Sequence, residues 1–484
     1  MKNFLRITLI LSFMLFLFFI FTKSSSIALY NNLDKERDIK ILFIGDIMMD
    51  RNVEKKLKIL NKNYYTLFEK INNYLKSFDY VVANIEGPVA TSGIKVGSKY
   101  SFRMKPEVLQ ALKDANINIL NIANNHIFDY GRRAFSDTLK NIKASGLYYY
   151  GDSYQPLIIE KDGIRIGFLG FSDFLKHLKA DENKIGIAVI DKNLEEHIKK
   201  AKEKVDILFV TFHWGDEYKK EANERQKRLA RLAIDSGADL VIGHHPHIIQ
   251  NIEKYKSKYI FYSLGNFIFD QDFSKETMIG GGVEVYLKVK QKPHGSNTDL
   301  NGLNTNRNKP NIDQTLIYTG RNIESKQSVL SPNQSVYIEK IYFRKFYLNK
   351  NYQIEKISEP LVLYEIEGKV YLLREAKNRE EWERGLMFVK KPFRTQIVSD
   401  LTQTEQNKTH DKQNYVDYDG MIFIFPDKQI RSFWNKNTFV DLDVYWLDDD
   451  KIIGKETLES INKTKNIKII TSPIPVNKVV EIIK

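Results

Sequence analysis

From Ile39 onward, short apolar runs alternate with segments whose apolar residues recur at helical spacing. DIKILFIGDIMM reads as strand then loop, VEKKLKILN as a helix, and DYVVANIEGP as strand then loop. PEVLQALKDANINILNIANNH predicts a helix opened by Pro106, then a strand ending at Asn124. FSDTLKNIKASG predicts a helix, KVDILFVTFHWGDEY a strand and loop, and RQKRLARLAIDSG a helix. DLVIGHHPH and KYIFYSLGNFIFD supply the next strands. Strands separated by amphipathic helices predict an α/β domain in which helices cover a sheet. Such folds gather their chemistry in loops at the carboxyl ends of strands, where every polar motif in this series falls.

The pattern changes three times. Residues 1–37 carry Lys2 and Arg6 ahead of the apolar run ITLILSFMLFLFFIF, with no A-x-A site after it. An uncleaved signal anchor and linker is expected, with the bulk of the chain extracytoplasmic. Residues 291–335 are rich in Asn, Gly and Pro without periodicity, so a disordered insertion is expected inside a domain spanning 38–358. The strand-like segments GGVEVYLKVKQK and SVYIEKIYFRKFYL flank it, as in a long hairpin loop. Near Pro360 a fresh series of strands begins, giving a second domain over 359–484.

Composition narrows the chemistry. The 484-residue chain has no cysteine, so any metal must be held by His, Asp, Glu or Asn, a set suited to Mn, Zn or Fe. Its net charge of +13 comes from scattered lysines, without the aromatic-interleaved basic runs of single-strand binders. An acidic polymer or an anionic membrane surface suits that charge better than nucleic acid.

Three of nine histidines lie in GHHPH. His245 and His247 stand two apart, which on an extended chain turns both to one side, with Pro246 stiffening the link. His244 faces the other way, as a support or substrate contact. Asp46, Asn84, Glu86, Asn125, His126 and His213 likewise follow apolar strands. Two cations ~4 Å apart need about four ligands each, some shared. Glu86 suits the bridging position and Asp46 a terminal or bridging one.

The ordered series FIGDIMMDR, NIEGP, ANNHIFDYG, HWGDEY, GHHPH and YSLGNFIF resembles the CapA-type poly-γ-glutamate biosynthesis proteins, which are similar in fold to calcineurin-like metallophosphatases. The resemblance covers roughly residues 40–358. It implies a four-layered α/β/β/α domain with two divalent metal ions (Mn, Zn or Fe). By position it implies Asp46, Glu86, Asn125, His213, His245 and His247 as metal ligands and His126 as the histidine beside the metals. Glu86 stands where calcineurin-like enzymes usually carry aspartate. A hydrolytic reading makes His126 the proton donor to the leaving oxygen. Arg103 and Arg51 become an anion clamp, and Asn84 and Asn266 second-shell or substrate contacts. The implied partners are anionic poly-γ-glutamate or a phosphate ester, the membrane through the N-terminal helix, and a capsule synthesis or export complex. A non-catalytic polymer-binding scaffold and a phosphoesterase unrelated to capsule remain as alternative readings.

Beyond Leu361 the chain resembles an uncharacterised small-domain family with R-G-L-M-F and F-W-M-K-N-T signatures, with Asn435 in place of the methionine. That implies a small, mostly β domain and no known activity. Phe433 and Trp434 are expected to fill its core, and Asp448-Asp449-Asp450 to form a solvated hairpin turn.

Overall fold

The computed structural model describes residues 38–97, 99–181, 184–291, 316–318, 334–389 and 418–484. The expected signal anchor, residues 1–37, lies outside these. So does the expected insertion, apart from its ends and Leu316–Tyr318, which form a strand. Among the described residues no helix is long and apolar enough to cross a membrane.

Two sheets organise the first half. In one, β1 (Ile39–Ile47), β2 (Tyr80–Ile85), β3 (Ile117–Asn121) and β4 (Tyr148–Tyr150) run parallel. The other joins β5 (Leu157–Lys161), β6 (Ile164–Ser172), β7 (Ile207–His213), β8 (Leu240–His244), β9 (Ile252–Tyr255) and β10 (Lys258–Phe261). Its order is β5-β6-β7-β8-β10-β9, with Leu316–Tyr318 on the β5 edge. The short β11 (Asn266–Ile268) and the long β12 (Ile279–Gln291) return to the first sheet, parallel and antiparallel to β1 respectively.

The period of two along each strand builds the layers. In β1, Ile41 and Phe43 face the other sheet, while Leu42 and Ile44 face the helices Arg51–Ile59, Glu107–Asp114 and Gly131–Ser145. In β7, Ile207 and Phe209 face the first sheet, while Leu208, Val210 and Phe212 face the helices Leu194–Lys202 and Glu224–Asp235. Apolar on both sides, these strands are buried along nearly their whole length, and the result is a four-layered α/β/β/α sandwich. The third strand stops at Asn121 rather than Asn124, because Asn121 turns its Oδ1 onto the Ala123 amide, 3.3 Å away.

Two glycines let the sheets' inner strands close up beneath the polar loops. A Cβ on Gly45 would lie 2.0 Å from the Gly265 carbonyl oxygen, and one on Gly243 would lie 1.9 Å from that of Tyr262.

The strand Gln334–Leu348 pairs antiparallel with β12 along its whole length, out to Gln291 opposite Gln334. The first sheet then runs on into the C-terminal part. Leu361–Ile366 joins Gln334–Leu348 through two residue pairs and hairpins with Lys369–Ala376, followed by Gly420–Gln429, Val476–Ile483, Leu442–Asp448 and Lys451–Leu458. Asp449 and Asp450 form the tight turn of the last hairpin, Asp449 with φ 53°, while Asp448 and Asp450 pair with Lys428 and Lys478 respectively. The apolar residues separate onto two faces, with Val479 and Trp446 on one and Val480 and Tyr445 on the other. Phe433 packs against the first of these, but Trp434, expected in the core, is 42% exposed, because alternation along Ser432–Trp434 turns it outward. Asn435 is fully buried and ties three segments together, bonding to Glu459, Thr464 and Lys468. Where the resembling family has an apolar methionine, this chain therefore has a polar clasp.

Gly243→Ala is expected to cost about 2–4 kcal/mol of stability in urea melts, since backbone must shift to admit the methyl group. Glu481, on the Val479 face, gives a pH dependence. Burial, opposed by the Leu386 amide, raises its pKa from 4.5 to about 8. The folded chain thus holds a proton that the unfolded chain releases. The stability it contributes is complete below the unfolded value, declines as pH rises, and is lost above about 8. Glu481→Gln should flatten this part of the Tm profile between about pH 5 and 9, and an unchanged slope would contradict the assignment.

Candidate metal centre

Register brings the polar residues into two rows. Across the first sheet Asn266, Asp46, Asn84 and Asn121 are neighbours, and across the second Ser172, His213 and His244. The rows lie at carboxyl ends of parallel strands, and the loops after β2, β3 and β8 add Glu86, Asn125, His126, His245 and His247.

Glu86 lies at the middle. It is fully buried, and neither carboxylate oxygen has a hydrogen-bond partner. Three imidazole nitrogens surround its Oε1: His247 Nε2 at 3.7 Å, His126 Nε2 at 3.8 Å and His213 Nε2 at 4.0 Å. Two donor sets share this carboxylate, Glu86 with His245 and His247, and Glu86 with Asp46 and His213, each set converging within 4.8 Å. Burial and the nearby Asp46 charge push the Glu86 pKa well above the ordinary value. An orphaned buried carboxylate ringed by imidazoles is costly as protein alone and fits a divalent cation.

The surrounding bonds decide which nitrogen faces inward. Asn266 donates its amide hydrogens to Gln271 Oε1 (3.1 Å) and Thr277 O (3.0 Å), so its Oδ1, 2.9 Å from His247 Nδ1, must accept. That leaves the lone pair of His247 on Nε2, facing Glu86. Asp129 does the same for His126, accepting from Nδ1 at 2.8 Å while also taking the Phe102 amide at 2.9 Å. Asn84 donates to Asp46 Oδ1 (2.9 Å), and its own oxygen accepts from Asn121 (3.0 Å) and Asn124 (3.4 Å). His213 Nε2 lies 2.8 Å from Asn125 Oδ1.

Electrostatics agree with a ligand set. Burial raises the pKa of Asp46, but His244, His247 and Asn84 outweigh it and hold the carboxyl below its usual range. His244 is placed as a support, with Nδ1 3.1 Å from Asp46 Oδ1. Burial, then the neighbouring histidines, drive His213 well below its ordinary value, and burial then His247 take His245 down to about 3. These rings stay neutral near pH 7, the form that binds metal. Phe102 lies 4.1 Å from the His126 ring, Phe174 4.5 Å from His245 and Phe269 4.7 Å from His247, packing the imidazoles from outside.

Two expectations are altered. His245 and His247 do not share a side through extended backbone. Their φ values are +96° and +59°, left-handed for non-glycine residues, and strain rather than pleating brings their rings to 5.9 Å. Nor does either arginine stand open as a clamp, although Arg51 lies near enough for its charge to oppose the rise in the Glu86 pKa. Arg51 bonds through both Nε and Nη2 to buried Asp270, and Arg103 lies 4.2 Å over the Tyr130 ring with its Nη1 near the Ser92 and Gly93 carbonyls. Asp129 and Asn121 were not singled out in the sequence. Asp129 falls three residues after His126 within the same motif, a spacing that could have found it.

Comparison with known proteins follows the same division of the chain. Residues 40–271 match the family model described as "Bacterial capsule synthesis protein PGA_cap", and residues 362–484 match one described as "Uncharacterized ACR". The capsule biosynthesis protein CapA of Bacillus anthracis is 35% identical over 269 residues, 52% of this chain and 65% of that protein. The PGA biosynthesis protein CapA of Bacillus subtilis is 38% identical over 257 residues, 51% of this chain and 67% of that one. The matched region thus spans slightly under two thirds of the Bacillus anthracis relative. A solved Mycoplasma pneumoniae structure, titled a novel phosphatase, aligns over 52% of this chain and 89% of its own at 14% identity and TM-score 0.32, too distant a likeness to carry function.

Asn266→Ala should leave the fold intact and weaken divalent-metal affinity about 10–100-fold in competition with a chelating dye. Unchanged affinity would show that Asn266 does not set the His247 tautomer.

Proposed function

The chain belongs to the bacterial capsule synthesis protein family, and we propose that it serves the biosynthesis or export of poly-γ-glutamate or a related capsule polymer through a two-cation, hydrolase-like centre. The orphaned, buried Glu86 carboxylate shared by two donor sets carries this reading. Asp46, Glu86, Asn125, His213, His245 and His247 would hold the cations, which are Mn, Zn or Fe by donor type. Bound there, they supply positive charge that polarises an anionic substrate oxygen. The chain's own residues do the rest. Asp129 fixes the His126 ring so that Nε2 faces the site, from which a proton taken up there could pass to the leaving oxygen. The Asn84 amide holds Asp46, and Phe102 and Phe174 pack against the His126 and His245 rings to hold them in place.

A net charge of +13 suits a polyanion at close range. The apolar run Ile7–Phe21 serves in this reading as an uncleaved anchor that leaves the bulk of the chain outside the cytoplasmic membrane. A polymer-holding scaffold is the second reading, favoured by one observation: both arginines expected to clamp substrate are engaged with Asp270 or with Tyr130 and backbone carbonyls.

Elemental analysis of the full chain separates these readings. We expect about two divalent metals per chain, absent from the His245→Ala, His247→Ala double variant. Cleavage of phosphoesters or γ-glutamyl oligomers should fall about 10²–10⁴-fold in His126→Asn with metal retained. Metal without any cleavage would favour the scaffold, and no metal after supplementation would remove the two-cation centre.

A further inference from the structure

In the C-terminal part a cavity of about 470 Å³ opens beside the helix Arg379–Arg384, within the range of small-molecule pockets. Trp382, Phe425 and Phe433 line it, with Arg384, Arg431 and Glu481 as polar groups. It shares no residue with the Glu86 cluster.

Glu481 is out of place by pattern. In VVEII it occupies the same face as Val479, opposite Met421 on one neighbouring strand and Val444 on the other, where the period of two calls for an apolar side chain. It is 3% exposed, and its Oε2 has no hydrogen-bond partner. A position that breaks its local rule with only one oxygen compensated, here by the Leu386 amide, points to function. The Arg431 Nε is also buried without a partner, while the guanidinium is held in place by Asp427 and by the Phe425 ring 4.0 Å away. Trp382 already donates its indole N–H to Ala376 O at 3.1 Å, so it offers the cavity a ring face.

We propose that this cavity binds a small organic carboxylate, its apolar body against Trp382, Phe425 and Phe433 and its oxygens accepting from Arg431 Nε and Glu481. The donor count supports this class. Glu481, raised by burial to about 8, is predominantly protonated at neutral pH and presents an O–H. Both unpartnered atoms therefore donate, and the ligand group set against them must accept. A neutral sugar needs acceptors for its own hydroxyl hydrogens, which these two atoms do not provide.

The test is calorimetric titration of the full chain with phenylacetate, γ-linked triglutamate and maltose. We expect at least one of the carboxylates to bind and maltose not to. Arg431→Gln should weaken binding about tenfold or more, because a hydrogen bond to a charged group is lost. Arg431→Lys should weaken it similarly, since it keeps the charge and loses the fixed Nε donor. Thermal melts confirm that each variant is folded. Repeating the titration in the His245→Ala, His247→Ala background separates the two sites, and the binding should persist there. Failure of both carboxylates, maltose binding in their place, binding that disappears with the two histidines, or affinity unchanged in both folded Arg431 variants would overturn the proposal.

Discussion

A carboxylate buried without a hydrogen bond is the constraint on which the rest of the first domain depends. Glu86 has no protein donor for either oxygen, and Asp46 lies close enough to oppose its charge. Such a site is tolerable only if the surroundings are fixed in advance and a cation balances the charge. The four layers provide that fixity. Strands apolar on both faces form a rigid platform whose carboxyl ends come together from two different sheets, and the helices outside keep the platform dry.

Rigidity alone does not aim the ligands. Gly45 and Gly243 permit backbone approaches that any side chain would block, so strands carrying Asp46 and His244 can sit against the Tyr262–Gly265 segment. The next residues absorb strain, with His245 and His247 both at positive φ. Around them a second set of polar groups, Asn84, Asn121, Asn124, Asp129 and Asn266, chooses tautomers and rotamers without itself facing the centre. The arrangement is one in which binding groups hold few degrees of freedom before anything binds, the condition for tight metal binding and for electrostatic work on a substrate.

The C-terminal part follows the opposite logic. Its sheet continues from the first domain through only two residue pairs, yet it keeps its own apolar clusters and its own cavity. Burial raises the pKa of both buried glutamates, but Glu86 is set among donors that converge with it on a candidate cation site, whereas Glu481 has one backbone amide.

The sequence by itself determined the alternation that makes the sandwich and the identity of the central donors. Runs such as ILFI and ILFV are apolar at every position because both faces are covered, and the polar motifs follow toward the strand ends. GHHPH, NIEGP and ANNH were legible for that reason. Tertiary structure decided what the donors' neighbours are. Register between strands far apart in the chain set Asn121 against Asn84, a loop turned Asp129 onto His126, and Asp270, 219 residues from Arg51, engaged that arginine's guanidinium. The inward placement of Glu481 likewise follows from which face of its strand meets Trp446, Phe423 and Met421. Periodicity fixes that one face differs from the other, but which of them becomes the interior depends on what packs against it, and that is a property of the whole fold.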